Sequence, residues 1–284
     1  MFKILRKSAQ TGLVTIRYPE APAQVSKQFR GAPRFDFAGW RDARLAAGVC
    51  PTEAISIREA GDTRQVAVDY GLCIYCGECA AADPAAVQMT QQFELAAADR
   101  RNLVVTAEYA VDQEGVQCEL RRMHQGYRPE EANEKLARKV RDRIHRVLGR
   151  SLAIREVDAG SCNGCEVEIT ALNNPVYDIE RLGIHFVASP RHADMLLVTG
   201  PVTRNMELAL VKAYRATPDP KVVVAVGACG ISGGIFGRNY ATLGGVDQVL
   251  PVDVFIPGCP PRPHALLHGI LLAVGQIEQK GTPQ

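Results

Sequence analysis

Three strand-like segments of this chain each end in a cysteine-bearing loop, and that placement constrains the fold more than any other feature. Residues 152–157 (LAIREV) lean apolar and read as a strand. A small-residue turn follows, Asp158-Ala159-Gly160-Ser161. Cys162 and Cys165 come next, with an acidic segment behind them that reads as a helix start. Residues 221–226 (KVVVAV) make a near-continuous apolar run, the mark of a strand buried on both faces. That run stops at Gly227-Ala228-Cys229-Gly230. Residues 252–256 (VDVFI) stop at Pro257-Gly258-Cys259-Pro260, and a helical pattern begins at His264. Further strands are expected at 184–188 and 195–199, and helices at 205–215 and 265–279. Repeated strand–helix units predict an open parallel sheet covered on both faces. Ligands of such sheets bind beyond the carboxyl ends of the strands. Cys162, Cys165, Cys229 and Cys259 are therefore expected to converge there, and the loop 200–203 opens on the same edge. Thiols at a helix mouth lie near backbone N–H groups, which predicts lowered pKa values. Two soft ligands two residues apart suit zinc or an iron–sulfur cluster.

A second set lies upstream. Cys73, Cys76 and Cys79 have the C-x-x-C-x-x-C spacing with which bacterial ferredoxins hold three corners of a 4Fe–4S cube. The fourth ligand of such a cluster is a cysteine before a proline in the other half of a two-cluster fold. Cys50-Pro51 fits. Counting back from Cys50 with the same spacing gives Ala46, Ala43 and Trp40, and the position four past Cys79 is Asp83, before Pro84. These are the four places of one missing cluster, while Cys50, Cys73, Cys76 and Cys79 fill the other. Trp40 is expected to fill the space with apolar bulk.

The words CNGCEVE (162–168), GACGISGGIF (227–236) and PGCPPRPHALLHG (257–269) resemble the electron-transferring small subunit of membrane-bound NiFe hydrogenases, as in formate hydrogenlyase, and the related subunit of respiratory complex I. The resemblance runs from about Leu152 to the C-terminus. It implies a flavodoxin-like α/β domain with one 4Fe–4S cluster beside a NiFe large subunit. The complex I relatives have adjacent cysteines where this chain has Gly164-Cys165, which favours the hydrogenase branch. The N-terminal words MFKILRKSAQTGLVTIRYP and FRG (29–31) resemble the opening of a ferredoxin-like subunit of such complexes, where the arm would lie across partner subunits. The implied organisation is an arm (1–30), a small α+β ferredoxin-like domain with one cluster (31–106), a linker with a basic helix at 129–148 (107–150), and the α/β domain (151–284). The implied partners are the large subunit, membrane subunits, and a donor such as a ferredoxin or a formate dehydrogenase subunit. The chain lacks the paired C-x-x-C motifs with which a large subunit holds nickel, so catalysis is expected elsewhere. Two alternatives stay open: a related complex without nickel, and a zinc-binding structural module.

Composition narrows the rest. With net charge +2 over 284 residues there is no global argument for nucleic acid. No apolar run reaches a membrane span, and the start lacks a signal-peptide h-region or a twin-arginine signal. A cytoplasmic protein, peripheral on the membrane through partners, is expected. Nine cysteines in that setting read as metal ligands rather than disulfides, with Cys118 a lone free thiol. Gly233-Gly234 lack phosphate-loop spacing, so nucleotide binding is not expected. Glu166 reads as helix-start charge, Glu168 as an interface or proton-handling group, and His264 and His268 as surface or interface residues rather than ligands. The segment 1–30 itself reads as a solvated arm, a strand is expected at 103–106, and 129–148 as a linker helix.

Overall fold

The computed structural model describes residues 2–126 and 150–281. The helix expected at 129–148 lies outside them.

The small domain is two strand–helix–strand units closed on each other. The first is β1 (Pro33–Phe35), α2 (Ala43–Gly48) and β2 (Ile55–Ala60); the second is β3 (Thr63–Asp69), α3 (Glu78–Ala82) and β4 (Val87–Met89). Outer strands β1 and β4 pair antiparallel, and inner strands β2 and β3 form a hairpin across Gly61-Asp62. The two units place Cys50-Pro51 just past α2 and Asp83-Pro84 just past α3. The expected short strand at 103–106 is longer: β5 (Val104–Val111) pairs with β3, and β6 (Gln117–Gln125) pairs with β5. The sheet, in order β2-β3-β5-β6, therefore continues beyond residue 106 into the stretch read as linker. Val105, Ala107 and Tyr109 alternate inward along β5, whereas β6 is a mostly exposed, charged edge strand. Such strands carry no apolar alternation to read, and their charge blocks pairing with other chains.

In the second domain β7 (Leu152–Asp158), β8 (Ile184–Phe186), β9 (Met195–Thr199), β10 (Val222–Val226) and β11 (Val254–Ile256) form a parallel sheet in the order β11-β10-β9-β7-β8. Counted within the domain this is 2-1-3-4-5, the flavodoxin-like order, whose switch point lies between β7 and β9. Side chains alternate between the sheet's two faces. Met195, Leu197, Val222 and Val224 join one core with Leu266, Leu267 and Ile270 of α7 (Pro263–Gly281) and Ile169 of α4 (Gly164–Ala171). Leu196, Val198, Val223 and Ala225 join the other with Leu210 of α5 (Arg204–Ala216) and Ile231 of α6 (Gly227–Ser232). The fold class is as expected: an α/β open parallel sheet preceded by a small α+β domain.

The arm differs from the expectation of a solvated segment. Residues Phe2–Thr11 form an exposed helix, α1. Beyond it the chain lies on the second domain: the Ile16 amide donates to the Val176 carbonyl (2.8 Å), and the Tyr18 carbonyl accepts from Arg181. Tyr18 is buried against Phe93, and its hydroxyl donates to Glu94 (2.9 Å). The domains also meet at Ala97, whose N–H and C=O both pair with Phe255 of β11.

Gln117, 2% exposed at the start of β6, ties the small domain together. Its amide oxygen accepts from the Ala43 N–H (2.8 Å) and the buried Arg64 (3.3 Å), and its amide nitrogen donates to the Trp40 carbonyl (2.9 Å). Gln117→Ala leaves the Ala43 N–H and the Trp40 carbonyl without this partner, while Arg64 keeps Glu59 and Asp42, at a cost of about 3 kcal/mol. The expected result is a lower urea midpoint for the small domain's transition; an unchanged midpoint would show that water replaces the side chain freely.

Candidate metal centres

The second-domain site is set by strand register. Asp158 pairs with Thr199, Thr199 with Val226, and Val226 with Ile256, so four parallel strands end on one row. Each cysteine loop leaves from that row. After β7, the Asp158 carboxylate accepts from the Gly160 and Ser161 amides, both at 2.7 Å, and turns the chain so that Cys162 and Cys165 face the switch point. Asn163, at φ +67°, then starts α4. Cys229 enters from α6 and Cys259 from the loop after β11, and the Ala228 amide donates to the Gly258 carbonyl at 2.8 Å. The loops touch closely enough that a methyl group at Gly227 (φ +77°) would lie 2.9 Å from the Cys165 sulfur, and one at Gly234 2.9 Å from that of Cys229. Only glycine fits there. The loop 200–203 packs on the same turn, through the Thr203 amide to the Ala159 carbonyl at 2.8 Å.

Cys165, Cys229 and Cys259 do not have the lowered pKa values expected of a helix mouth. Burial pushes Cys165 and Cys259 up, and Cys229 up to about 11, and neighbouring sulfurs of the quartet add to the cost of ionising each. Desolvation outweighs the backbone dipoles. A positively charged metal core removes that penalty, because binding takes thiolates and releases protons.

One carboxylate, Glu166, acts on Cys165 and Cys229, and Glu156 and Glu168 lie on the flanking strand and helix. Glu166 is more than helix-start charge: its carboxylate accepts from the Thr199 hydroxyl at the end of β9. Burial, and then Glu166, raise the pKa of Glu156, a residue hidden in the sequence within an ordinary strand. Its alternation with Val157 was the only available signal. Burial raises Glu168, partly offset by Arg262. His264 and His268 are not at the surface. Both are buried in α7, and burial lowers each to about 4. His264 packs among the rings of Tyr18, Phe93 and Tyr177, with centroids 5.2–5.6 Å away.

The small-domain site gathers the predicted quartet. Cys50, Cys73, Cys76 and Cys79 line one pocket with Pro33, Phe35, Ile55, Val68 and Met89. Burial pushes Cys73 up to about 12 and Cys79 up to about 11. The loop curls through left-handed Tyr75 and Gly77, and the Tyr75 amide points at the Cys73 sulfur (3.4 Å). Cys118 is apart, exposed on β6. Among the described residues no group of three His, Cys, Asp or Glu side chains is arranged to hold a single metal ion. A tetrathiolate zinc site draws its sulfurs to about 3.8 Å from one another, given Zn–S of about 2.3 Å. A four-iron cube takes its thiolates at more widely spaced corners, and an apolar pocket with four thiols fits that donor set.

Where a second cube's ligands would stand, the positions close on one another. The Trp40 indole N–H donates to Asp83 Oδ2 at 3.0 Å. Ala43 and Ala46 are fully buried beneath the ring, and Phe35 and Phe37 pack on it at 5.2 and 5.9 Å. The two sites are joined by a polar contact. The Ser232 hydroxyl, three residues past Cys229, lies 3.0 Å from the Gly71 carbonyl, two residues before Cys73. The same proton is shared with the Ala228 carbonyl at 2.9 Å.

Asp83→Ala removes a partner of a buried indole and should lower small-domain stability by about 1–2 kcal/mol. Iron bound per chain should not change. Loss of iron from this variant would make Asp83 a ligand.

The family described as the NADH ubiquinone oxidoreductase 20 kDa subunit matches residues 162–273. Formate hydrogenlyase subunit 7 of Escherichia coli is 53% identical over 133 residues, 47% of this chain and 52% of that protein. The chain thus spans about half the length of that relative. The B-type subunit of NADH-quinone oxidoreductase from Bacteroides thetaiotaomicron is 51% identical over 43% of this chain and 59% of its own length. A probable membrane-bound hydrogenase subunit of Pyrococcus furiosus is 54% identical over 131 residues, 46% of this chain and 78% of that protein. With three strand-end cysteine loops inside the matched segment and a relative so fully covered, the chain belongs to the NADH ubiquinone oxidoreductase 20 kDa subunit family.

Proposed function

We propose that this chain is the iron–sulfur relay subunit of a membrane-bound hydrogenase-type complex. Cys50, Cys73, Cys76 and Cys79 hold one 4Fe–4S cluster, and Cys162, Cys165, Cys229 and Cys259 hold the other. The observation that carries the reading is the pair of four-thiol sites linked through Gly71 and Ser232. Each cluster supplies one-electron chemistry, taking up and releasing an electron without bond exchange. The chain's own residues do the rest. Burial keeps Cys73, Cys79, Cys165, Cys229 and Cys259 from ionising until metal binds, and Pro33, Phe35, Ile55 and Val68 line the first site with apolar surface. The glycines of the second site let three loops close on one group.

Three kinds of partner fit this role. A NiFe large subunit would sit at the edge where Cys162 and Cys259 are exposed. Membrane subunits and a donor, such as a ferredoxin or a formate dehydrogenase subunit, complete the set. Among the described residues no helix is long and apolar enough to cross a membrane, so attachment at the cytoplasmic face would run through partners. A second reading, a relay in a complex I-like oxidoreductase without nickel, draws support from the 51% identity to the NADH-quinone oxidoreductase relative. Metal analysis of the purified complex separates the two.

Anaerobic reconstitution should give about eight iron and eight sulfide per chain, falling to about four in Cys50→Ala and in Cys162→Ala. Each variant should lose a different EPR signal on reduction. Zinc in place of iron, or wild-type spectra in both variants, would overturn the assignment.

A further inference from the structure

We propose that Arg30 is a positioning residue for the small-domain centre: it fixes a positive charge against the loop that carries Cys76, and so raises the reduction potential of the cluster held there. The inference rests on the relay reading and adds to it a residue that sets the first step's driving force.

Phe29-Arg30-Gly31 falls in a stretch whose sequence reads as a solvated arm, yet both side chains are held. An Arg30 guanidinium N–H donates to the Cys76 carbonyl oxygen. Its stem runs over Gly77, where a methyl group would meet Arg30 Cδ at 3.6 Å and Nη1 at 3.7 Å. The following backbone is pinned: the Gly31 amide donates to the Thr90 carbonyl and the Ala32 amide to the Gln92 carbonyl, each at 2.8 Å. The preceding residue is pinned from the other domain. The Phe29 ring lies under the guanidinium of Arg262, 4.4 Å from its centre, with the Phe93 ring 6.0 Å away. Arg262 is three residues past Cys259. One dipeptide thus touches the Cys76 loop with one side chain and the Cys259 loop with the other.

Reduction adds one electron from an external low-potential reductant, breaks no bond, and makes the site more negative by one charge. A cation fixed beside a ligand's backbone favours the more negative form. Arginine keeps its charge at every pH the protein survives, so the effect is constant. Arg30 is exposed, and water and salt screen part of it. The stack on Arg262 matters because an unheld arginine would spread its charge over many conformers; Phe29 confines it to one.

The test is a redox titration of the reconstituted full-length chain followed by EPR, with iron content measured in parallel. Arg30→Gln keeps a donor for the Cys76 carbonyl but removes the charge. The small-domain cluster's midpoint should become more negative while the Cys162/Cys165/Cys229/Cys259 cluster stays put. Arg30→Lys should restore the wild-type midpoint, and Phe29→Ala should shift it in the same direction as Arg30→Gln but less. Full iron with an unmoved small-domain midpoint in Arg30→Gln overturns the inference and leaves the relay reading intact. A shift in Arg30→Lys equal to that in Arg30→Gln also overturns it, since charge would then not be the cause. If Arg30→Gln loses the cluster, a wild-type midpoint in Arg30→Lys sustains the charge assignment and a lowered one overturns it. Wild type without a small-domain cluster would defeat both readings, and iron analysis shows that before any titration.

Discussion

The parallel register of β7, β9, β10 and β11 is the constraint on which the second site depends. Asp158, Thr199, Val226 and Ile256 stand on one hydrogen-bonded row, so cysteines three to seven residues further on emerge at one edge. A shift of one residue in any strand would move its loop by about 3.3 Å and turn its alternating side chains onto the wrong face. The two apolar cores prevent that slip. Met195 and Leu197 pack on one face and Leu196 and Val198 on the other, leaving β9 no polar side to expose. Packing far from the sulfurs therefore decides where the sulfurs are.

That rigidity has an electrostatic cost. Cys165, Cys229 and Cys259, drawn together in a half-buried edge, resist ionisation, and Glu166 adds negative charge beside Cys165 and Cys229 rather than relieving it. The site is shaped for a core that brings its own positive charge. The expectation of lowered cysteine pKa values followed from the helix mouth alone. It failed for Cys165 because burial acts on the whole sulfur, whereas only the first turn of α4 offers it free N–H dipoles. Metal binding at such a site would be linked to proton release from these thiols.

How much was legible follows from which residues carry period and which do not. The central strands were plain in the sequence because LLV and VVVAV have no other place to go, and the cysteines at their ends marked the edge. The small-domain quartet was legible from spacing, and so were the positions left without a ligand. The charged β6 was not, since a strand exposed along its length shows no alternation. The arm was misjudged for a different reason. Tyr18 and Phe29 are isolated aromatics in a polar stretch, and only the fold reveals that Phe93, Tyr177, His264 and Arg262 wait to receive them. His264 and His268 were placed at the surface or an interface by residue type, yet α7 buries its whole first half, and the histidines go in with it.

The small domain keeps its thiols on the side that faces the rest of the chain. Gly71, before the Cys73 triplet, receives the Ser232 hydroxyl, and Cys76 receives Arg30 from the arm that also stacks on Arg262. The other half of the duplicated fold turns its equivalent positions inward: Trp40 bonds Asp83, and two alanines pack beneath them. The relay proposed above would need its centres close to each other, because electron transfer falls off steeply with separation, whereas a cube facing away from the second domain would add iron without shortening the path. The indole is buried and its N–H is satisfied by Asp83, so that half of the domain closes without an unpaired buried donor. Burial and hydrogen bonding thus agree in closing the Trp40–Asp83 half of the small domain and in leaving the four thiols together in the other.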